Sequence, residues 1–475
     1  MSRCQGRCAL TGDDARRLRQ PRHRREPGVS RVLAVLAVLV TCVTLPALAQ
    51  TVTPTPMAAP APRPDGRVTF LVNTASRSVE GASTRRDTEL STMFTFRVPD
   101  VDAPGLEAAA DLRYSHYTTL DRPDRVALFD GYVGGRFGER GQFRARAGHM
   151  WLPDLGTAGA LAGGLFEYRQ SATASARVRF SAGAFAGAEP LVWDTGYAEG
   201  VQKAGGYVGL QRGFMQRHVV GYSRITQSGV LQRNLLTFTN YVPGPSGFFL
   251  YNAAEVDMTG PADGTASGGL SYFLANVRVS AGPRVELNGT YNRGRALDAQ
   301  RLTDDVINGR PLTAESVEGL KYSTAGGRAI VRVARQTDIW AGYYQDQNNR
   351  DDQAVGRLLV GGHAGNTFNS GLDVSGSFSR FDRPDGPYNS TYVSLGHGLG
   401  RMWYLSGDYS TSLSVVRFLN SEGVIIETRP STTRYSGNLN GTLNRSFSLM
   451  VVADYTQDEG YHELRLLSSL TYRMR

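Results

Sequence analysis

The chain of 475 residues has very little cysteine, and none of it lies in the body of the protein. All three cysteines, Cys4, Cys8 and Cys42, precede residue 50. The body therefore has no disulfide, no cysteine-ligated metal and no cysteine nucleophile. Lysine is almost absent too, since Lys203 and Lys321 are the only two, so nearly every cation is an arginine. No segment of the body resembles a long amphipathic helix, which argues against a helical fold.

The net charge of +9 is concentrated at the start of the chain. Residues 1–50 hold nine arginines against three acidic residues, so six of the nine excess charges lie there. The basic balance therefore does not indicate nucleic-acid binding. Val32–Val43 is an apolar run too short to span a bilayer as a helix, and Ala47 and Ala49 supply the small residues that signal peptidase needs.

These features predict a signal peptide over residues 1–49, with a membrane anchor as the alternative. Residues 50–66 are dense in proline, alanine and threonine and have almost no apolar periodicity. We predict a Pro/Ala/Thr-rich periplasmic linker over 50–66.

From about Arg67 onward, apolar and polar residues alternate in segments separated by glycine, proline, asparagine and aspartate. Successive side chains of a strand point to opposite faces, so alternation predicts two-faced strands. The alternation in residues 125–137 gives an apolar set and a polar set: Ala127, Phe129 and Val133 against Asp130 and Arg136. Many segments reach the ~9–11 residues that a tilted strand needs to cross a bilayer.

The number of segments, roughly 18–22, is on the scale of a large pore-forming barrel. A β-propeller of similar strand content would repeat every ~40–50 residues, and the chain has no such repeat. We therefore predict an all-β fold, a closed antiparallel transmembrane β-barrel over residues 67–475. A closed ring needs no disulfide, which agrees with the cysteine-free body.

The C-terminal segment is the most specific local pattern. It sets one alternating series against another: Leu464, Leu466, Leu470, Tyr472 and Met474 against Arg465, Ser469, Thr471 and Arg473. This resembles the closing strand of porin-like outer-membrane β-barrel proteins of Gram-negative bacteria, although Met474 stands where that group usually has an aromatic residue. The stretch Gln142–Arg169, a basic strand followed by a Gly/Ala-rich connection and a second strand, resembles the same group.

The resemblance covers about residues 67–475 and implies an outer-membrane location. It also implies contact with outer-membrane lipid and lipopolysaccharide, and recognition by the barrel-assembly machinery through the C-terminal strand. Self-association into a homo-oligomer is left open. No nucleic-acid partner is predicted.

In a barrel of this kind the polar strand faces line the lumen, because a charge on the lipid side would cost ~2–4 kcal/mol at the midplane. The pore-lining candidates are Arg97, Asp111, Arg113, Asp130, Arg136, Arg144, Arg146, Arg177, Arg179, Arg332 and Asp454.

Two of these strands suggest a basic ladder. Arg144 and Arg146 lie on one strand, and Arg177 and Arg179 lie on a strand two places further on. Arginine rings inside a pore favour anions. The alternative is that these arginines pair with Asp111, Asp130 and other lumenal acids and so stiffen the wall.

Two connections are long, Gly187–Gly200 and Gly294–Glu318. Long loops of outer-membrane barrels lie outside and short turns lie on the periplasmic side. Either connection could fold inward and narrow the pore, or simply cover the extracellular mouth.

Catalytic patterns are lacking. The histidines after the leader, six in number, show no metal-ligand spacing, and no Gly-x-Ser-x-Gly or P-loop motif occurs. We predict no enzyme, and no catalytic, cofactor or metal site. The predicted function is a porin-like channel for small hydrophilic solutes, with a preference for anions as a further hypothesis. The alternatives are a barrel component of polysaccharide or protein export and a lipid-modifying enzyme that assembles serine and histidine across strands.

Overall fold

The computed structural model describes residues 65–474, with gaps at 99–104, 119–121, 171–177, 192–193, 214, 260–268, 297–298, 313–317, 352, 368, 385 and 420–424. The predicted signal peptide lies outside the described residues, as does the predicted linker up to residue 64. The first strand begins at Asp65, so the last two residues assigned to the linker belong to that strand.

Alternating sequence becomes strand over almost the whole described chain. The first eight strands are β1 Asp65–Val79, β2 Arg85–Val98, β3 Leu106–Tyr117, β4 Arg125–Phe137, β5 Phe143–Trp151, β6 Ala160–Arg169, β7 Val178–Pro190 and β8 Tyr197–Arg212. The next eight are β9 Gln216–Gln227, β10 Val230–Pro243, β11 Phe249–Thr259, β12 Gly269–Ser280, β13 Val285–Ala296, β14 Leu320–Ala334, β15 Thr337–Asn348 and β16 Val355–Thr367. The last eight are β17 Leu372–Arg383, β18 Gly386–Leu399, β19 Trp403–Ser414, β20 Val416–Leu419, β21 Ile425–Thr428, β22 Ser431–Thr442, β23 Phe447–Asp458 and β24 Tyr461–Met474.

Twenty-two of these strands form one antiparallel sheet that closes on itself. Each strand pairs with its neighbours in sequence, except that β20 and β21 form a separate hairpin and β19 pairs with β22. The last strand pairs with the first along its whole length, from Gly66 opposite Met474 to Val79 opposite Tyr461. The predicted closed antiparallel barrel of roughly 18–22 strands is confirmed.

The closed register gives the barrel an outward and an inward face. Paired residues share a face, as Val72 and Leu90 do across β1 and β2. Their face carries the exposed large apolar side chains, with Val133 at 62% and Leu464 at 54% exposure. The opposite face carries the buried apolar side chains of the strands: Ala75, Ala109, Ala127, Met150, Leu161, Leu165, Phe185, Val201, Val219, Ile225 and Leu235. Because the inner surface of a cylinder is concave and crowds its side chains, this second face is the lumenal one.

Strand β4 departs from strict alternation at a bulge. Its pairing with β3 shifts register next to Asp130 and leaves Phe129 as an extra residue. The bulge turns Ala127 onto the inward face, opposite Arg113, where it is 4% exposed. The prediction that Ala127 shares the outward face with Val133 is therefore wrong, because one inserted residue reverses the order of the faces.

The strand connections divide between two ends of the barrel. The end where β1 begins and β24 finishes is called the terminal end, and the opposite end is the loop end. The long connections, residues 297–319 and 415–430, both lie at the loop end. The predicted connection Gly187–Gly200 is shorter than expected, because β7 continues to Pro190 and β8 begins at Tyr197.

Within the described residues, helical structure lies only in connections between strands. A 3-10 segment spans Pro153–Gly159, a second one spans Pro245–Gly247, and an α-helix spans Ala299–Ile307. None of the helices in the described part of the chain has the length and apolar character needed to cross a membrane.

Candidate functional site: the lumenal wall and its constriction

The connection between β5 and β6 folds into the lumen. Its 3-10 segment contacts β9, β10 and β11, which are not its neighbours in the ring. The Thr239 hydroxyl of β10 donates to the backbone oxygen of Asp154 at 3.1 Å, and the Asp154 carboxylate pairs with Arg217 of β9. Thr239 and Arg217 lie on the inward face. The segment therefore crosses part of the interior and narrows it.

Apolar packing fixes this segment in place. Leu155 is 1% exposed and lies directly over Gly221 of β9, where a side chain would collide with the Leu155 methyl group. Gly156 has a φ of 58°, and a β-carbon there would collide with the carboxylate of Glu255. The buried cluster beneath the segment consists of Met150, Leu152, Leu155, Leu161, Leu165 and Phe185. Glycine at these two positions allows the close approach, and the leucines supply the burial.

Asp154 is held in a partly dry environment. Burial raises the pKa of Asp154 above its ordinary value, and the nearby Arg217 guanidinium only partly offsets this. The ion pair with Arg217 thus orients the segment more than it stabilises it, because desolvation opposes the charge attraction.

The α-helix at the loop end leans onto the same part of the wall. Asp304 accepts a hydrogen bond of 2.6 Å from the Gln227 side chain at the end of β9. Leu302 and Thr303 are 2% and 0% exposed. The predicted long connection Gly294–Glu318 thus carries a helix that packs against β10, and the β5–β6 connection folds inward on the same side of the ring.

The two arginines of the candidate ladder on β5 share one carboxylate. Arg144 Nε donates to Glu107 Oε1 at 2.7 Å, and Arg146 Nη2 donates to Glu107 Oε2 at 3.3 Å, with shorter contacts between the same groups. Glu107 is 3% exposed. The Arg146 guanidinium also stacks over Tyr132, 4.6 Å from the ring centre. Arg144 and Arg146 are therefore paired with a lumenal acid, as the alternative to the basic ladder predicted, and that acid is mainly Glu107 on β3.

A second buried carboxylate, Glu167 on β6, extends this network. It accepts from the Tyr207 hydroxyl at 2.6 Å and pairs with Arg169 at 2.8 Å and Arg144 at 3.6 Å. Further along the wall, the buried Lys203 ammonium lies 3.1 Å from both Glu189 and the backbone oxygen of Ala160. The wall from β3 to β9 is thus a continuous set of paired charges beneath the constriction.

The other sequence candidates also face inward. The strand register places ten of the predicted pore-lining residues on the inward face: Arg97, Asp111, Arg113, Asp130, Arg136, Arg144, Arg146, Arg179, Arg332 and Asp454. Their ion pairs are Arg97–Asp130 at 4.0 Å, Arg113–Glu89 at 2.6 Å, Arg332–Asp338 at 3.5 Å and Arg434–Asp454 at 2.9 Å. Arg177 lies outside the described residues. A role of these side chains in conduction stays a prediction.

The sequence candidates did not include Glu107, Glu167, Asp154 or Arg217. Glu107 lies an even number of residues before Asp111 on β3, so strand alternation alone places both on one face. Asp154 lies in a connection, where alternation carries no information. Within the described residues, no group of three or more His, Cys, Asp or Glu side chains could hold a metal ion.

No family model and no curated protein matches the chain. Among solved structures, Acinetobacter baumannii OccAB4 is 10% identical, with a TM-score of 0.42 over 87% of this chain and 98% of that one. Pseudomonas aeruginosa OccK10 (OpdN) is 9% identical, with a TM-score of 0.40 over 87% and 99%. Pseudomonas aeruginosa OccK2 (OpdF), crystallised in complex with glucuronate, is 11% identical, with a TM-score of 0.39 over 87% and 97%. Similarities this distant concern the barrel fold alone.

Proposed function

We propose that this protein is a porin-like channel of the outer membrane, through which small hydrophilic solutes diffuse. The observation that carries the proposal is the closed 22-stranded ring with an apolar outward face and a charged inward face. A ring of this size encloses more space than its own side chains fill, since the interior widens as strands are added. The apolar outward face suits hydrocarbon, and the lumen suits water.

The constriction is proposed to select solutes mainly by size. The Pro153–Gly159 segment narrows the lumen on the β9–β11 side, and Leu155 anchors it. The arginines around it are largely neutralised by Glu107 and Glu167. A wall of paired charges presents little net field to a passing ion, so we expect weak ion selectivity and no strong preference for anions.

The proposed surroundings follow from the outward face. Leu464 and Leu466 of β24 are exposed at 54% and 49%, as expected for side chains that meet lipid or lipopolysaccharide. β24 also closes the ring against β1, so its recognition by the barrel-assembly machinery would couple insertion to closure. Both partners remain proposals.

Reconstitution in a planar bilayer tests the channel. Purified protein that has been shown to be folded, by migration that differs between boiled and unboiled samples, should give stepwise conductance. Folded barrel that gives no conductance steps would refute the channel and would favour an export component instead. Protein that stays soluble without detergent would refute the membrane location.

A further inference from the structure

A recess of about 530 Å³ opens in the barrel wall at the terminal end, among β19, β22, β23 and β24. It lies apart from the constriction, which rests on β9–β11. Its polar lining on the inward face comes from three strands: Asn440 and Thr442 of β22, Ser448 of β23, and Ser469 and Thr471 of β24. Volumes of ~300–1,000 Å³ are typical of small-molecule sites.

Some polar groups of the recess have protein partners, since the Thr471 hydroxyl lies 3.0 Å from that of Thr69, and others have none among the described residues. Ser469 is 8% exposed, yet no side chain or backbone group among the described residues hydrogen-bonds to its hydroxyl. The same holds, within the described part of the chain, for the side chains of Asn440, Thr442 and Ser448. Because these groups open onto the recess, their hydrogen bonds are left for water or for a ligand that offers donors and acceptors.

An aromatic ring lies beside these groups. Tyr404 lines the recess and extends across the neighbouring strand, where its hydroxyl donates to Asp373 of β17 at 3.3 Å. Gly396 of β18 lies under the ring, and a β-carbon there would collide with the Tyr404 hydroxyl. The glycine therefore lets the ring lie along the wall at the β19 edge of the recess, with its hydroxyl directed away from β24.

The lining is nearly free of charge. Arg401 is its one ionisable cation, and no carboxylate lines it. The inward face of the adjoining strands is rich in serine, with Ser377 on β17, Ser394 on β18 and Ser410 on β19. Charges are sparser on this wall than on the wall from β3 to β9, with Asp373 and Asp408 among the serines. Hydroxyl and amide groups exchange hydrogen bonds with a ligand that offers both donors and acceptors, and a ring face accepts its C–H surface.

We propose that the recess binds an uncharged polyhydroxylated solute, a sugar of mono- to disaccharide size, at the terminal end of the lumen. The inference deepens the proposed function, because the channel would supply the sugar's access. Affinity should be about millimolar, since few groups contact the ligand and the site is open.

Calorimetric titration of the folded wild-type barrel in detergent with maltose tests the binding, and sodium gluconate serves as the charged comparison. We expect saturable binding of maltose and much weaker binding of gluconate. Ser469→Ala and Thr442→Val each remove one hydroxyl with little change in volume and should weaken maltose binding about fivefold. Ser468→Ala is the matched control, because Ser468 is the adjacent residue on the outward face of the same strand. Absence of maltose binding, or equal weakening in all three variants, would overturn the proposal.

Bilayer recordings separate this inference from the channel itself. Maltose should lower the open-channel current in a saturable way in the wild type and Ser468→Ala, and only at higher concentration in Ser469→Ala. Normal conductance without a maltose effect would refute the sugar site and leave the channel standing. Calorimetric binding without conductance would support the recess and refute the channel.

Discussion

Replacing Glu107 with glutamine should destabilise the barrel far more than replacing Asp454 with asparagine. Both acids face the lumen and pair with arginine, so the two variants remove the same charge from the same kind of surface. They differ in burial. The Glu107 side chain is 4% exposed and its partners Arg144 and Arg146 are 11% and 15% exposed, whereas Arg434, the partner of Asp454, is 53% exposed.

The expected magnitudes follow from that contrast. Removing one member of a buried ion pair leaves the other charge unpaired and costs about 3–5 kcal/mol. Glutamine keeps one oxygen that can accept from an arginine, so we expect the lower end, about 3 kcal/mol. An ion pair with an exposed arginine contributes about 0–1 kcal/mol, so Asp454→Asn should cost less than about 1 kcal/mol.

Urea unfolding of the refolded barrels in micelles, followed by tryptophan fluorescence, measures the difference. The midpoint should fall strongly in Glu107→Gln and little in Asp454→Asn. Adding Arg146→Met to Glu107→Gln should restore part of the loss, because it removes one orphaned cation. In bilayers, Glu107→Gln should also shift the reversal potential toward anions. Equal losses of stability in the two single variants would show that Glu107 does not act as a buried counter-ion.

Three further predictions concern the constriction and the closure of the ring. Gly221→Val should raise single-channel conductance, because its side chain would displace Leu155 and lift the segment from β9; unchanged conductance would place the narrow point elsewhere. The pKa of Asp154 is raised, so folding favours its neutral form, and this contribution to stability is present at low pH and lost as the pH rises through that pKa. The wild type should therefore gain stability relative to Asp154→Asn as the pH falls. Urea unfolding at several pH values measures this, and a relative loss of stability on acidification would contradict it. Deletion of residues 461–475 leaves β1 and β23 as open edges, so the product should not show heat-modifiable migration in gels; normal migration would refute closure by β24.

Much of the fold could be predicted because a strand face is a local property. In β24, Leu464 and Leu466 alternate with Arg465, and the register confirms that they lie on opposite sides of the wall. The approximate number of strands follows from the same pattern, because each strand is one alternating segment and a turn separates it from the next. The prediction failed at Ala127, where a bulge inserted one residue that no local pattern indicates.

The partners of the lumenal charges could not be predicted in the same way. Alternation shows that Arg144 faces the lumen, but its distance from Glu107 depends on how β3, β4 and β5 are staggered. Stagger is set by turn lengths and by the bulge in β4, which act on all three strands together. The inward path of Pro153–Gly159 had one sequence signal, since Leu152 and Leu155 are apolar residues in a connection and need a place to be buried.

The constriction and the recess lie on different parts of the ring, and this separation bears on how a solute would pass. The segment over Gly221 and the helix near Gln227 both occupy the β9–β10 side, above walls whose charges are already paired. The free cross-section is therefore displaced toward the remaining strands, where the inward face of β17–β19 is dominated by serine hydroxyls. A solute forced toward that side would exchange water for hydroxyl contacts at little cost, whereas an anion would also meet the carboxylates of Asp373 and Asp408 on the same face. The inward segments block the β9–β10 side of the lumen, and the serine hydroxyls of β17–β19 offer weak hydrogen bonds on the other side. The two together would favour neutral, hydroxyl-rich solutes without any charged ladder.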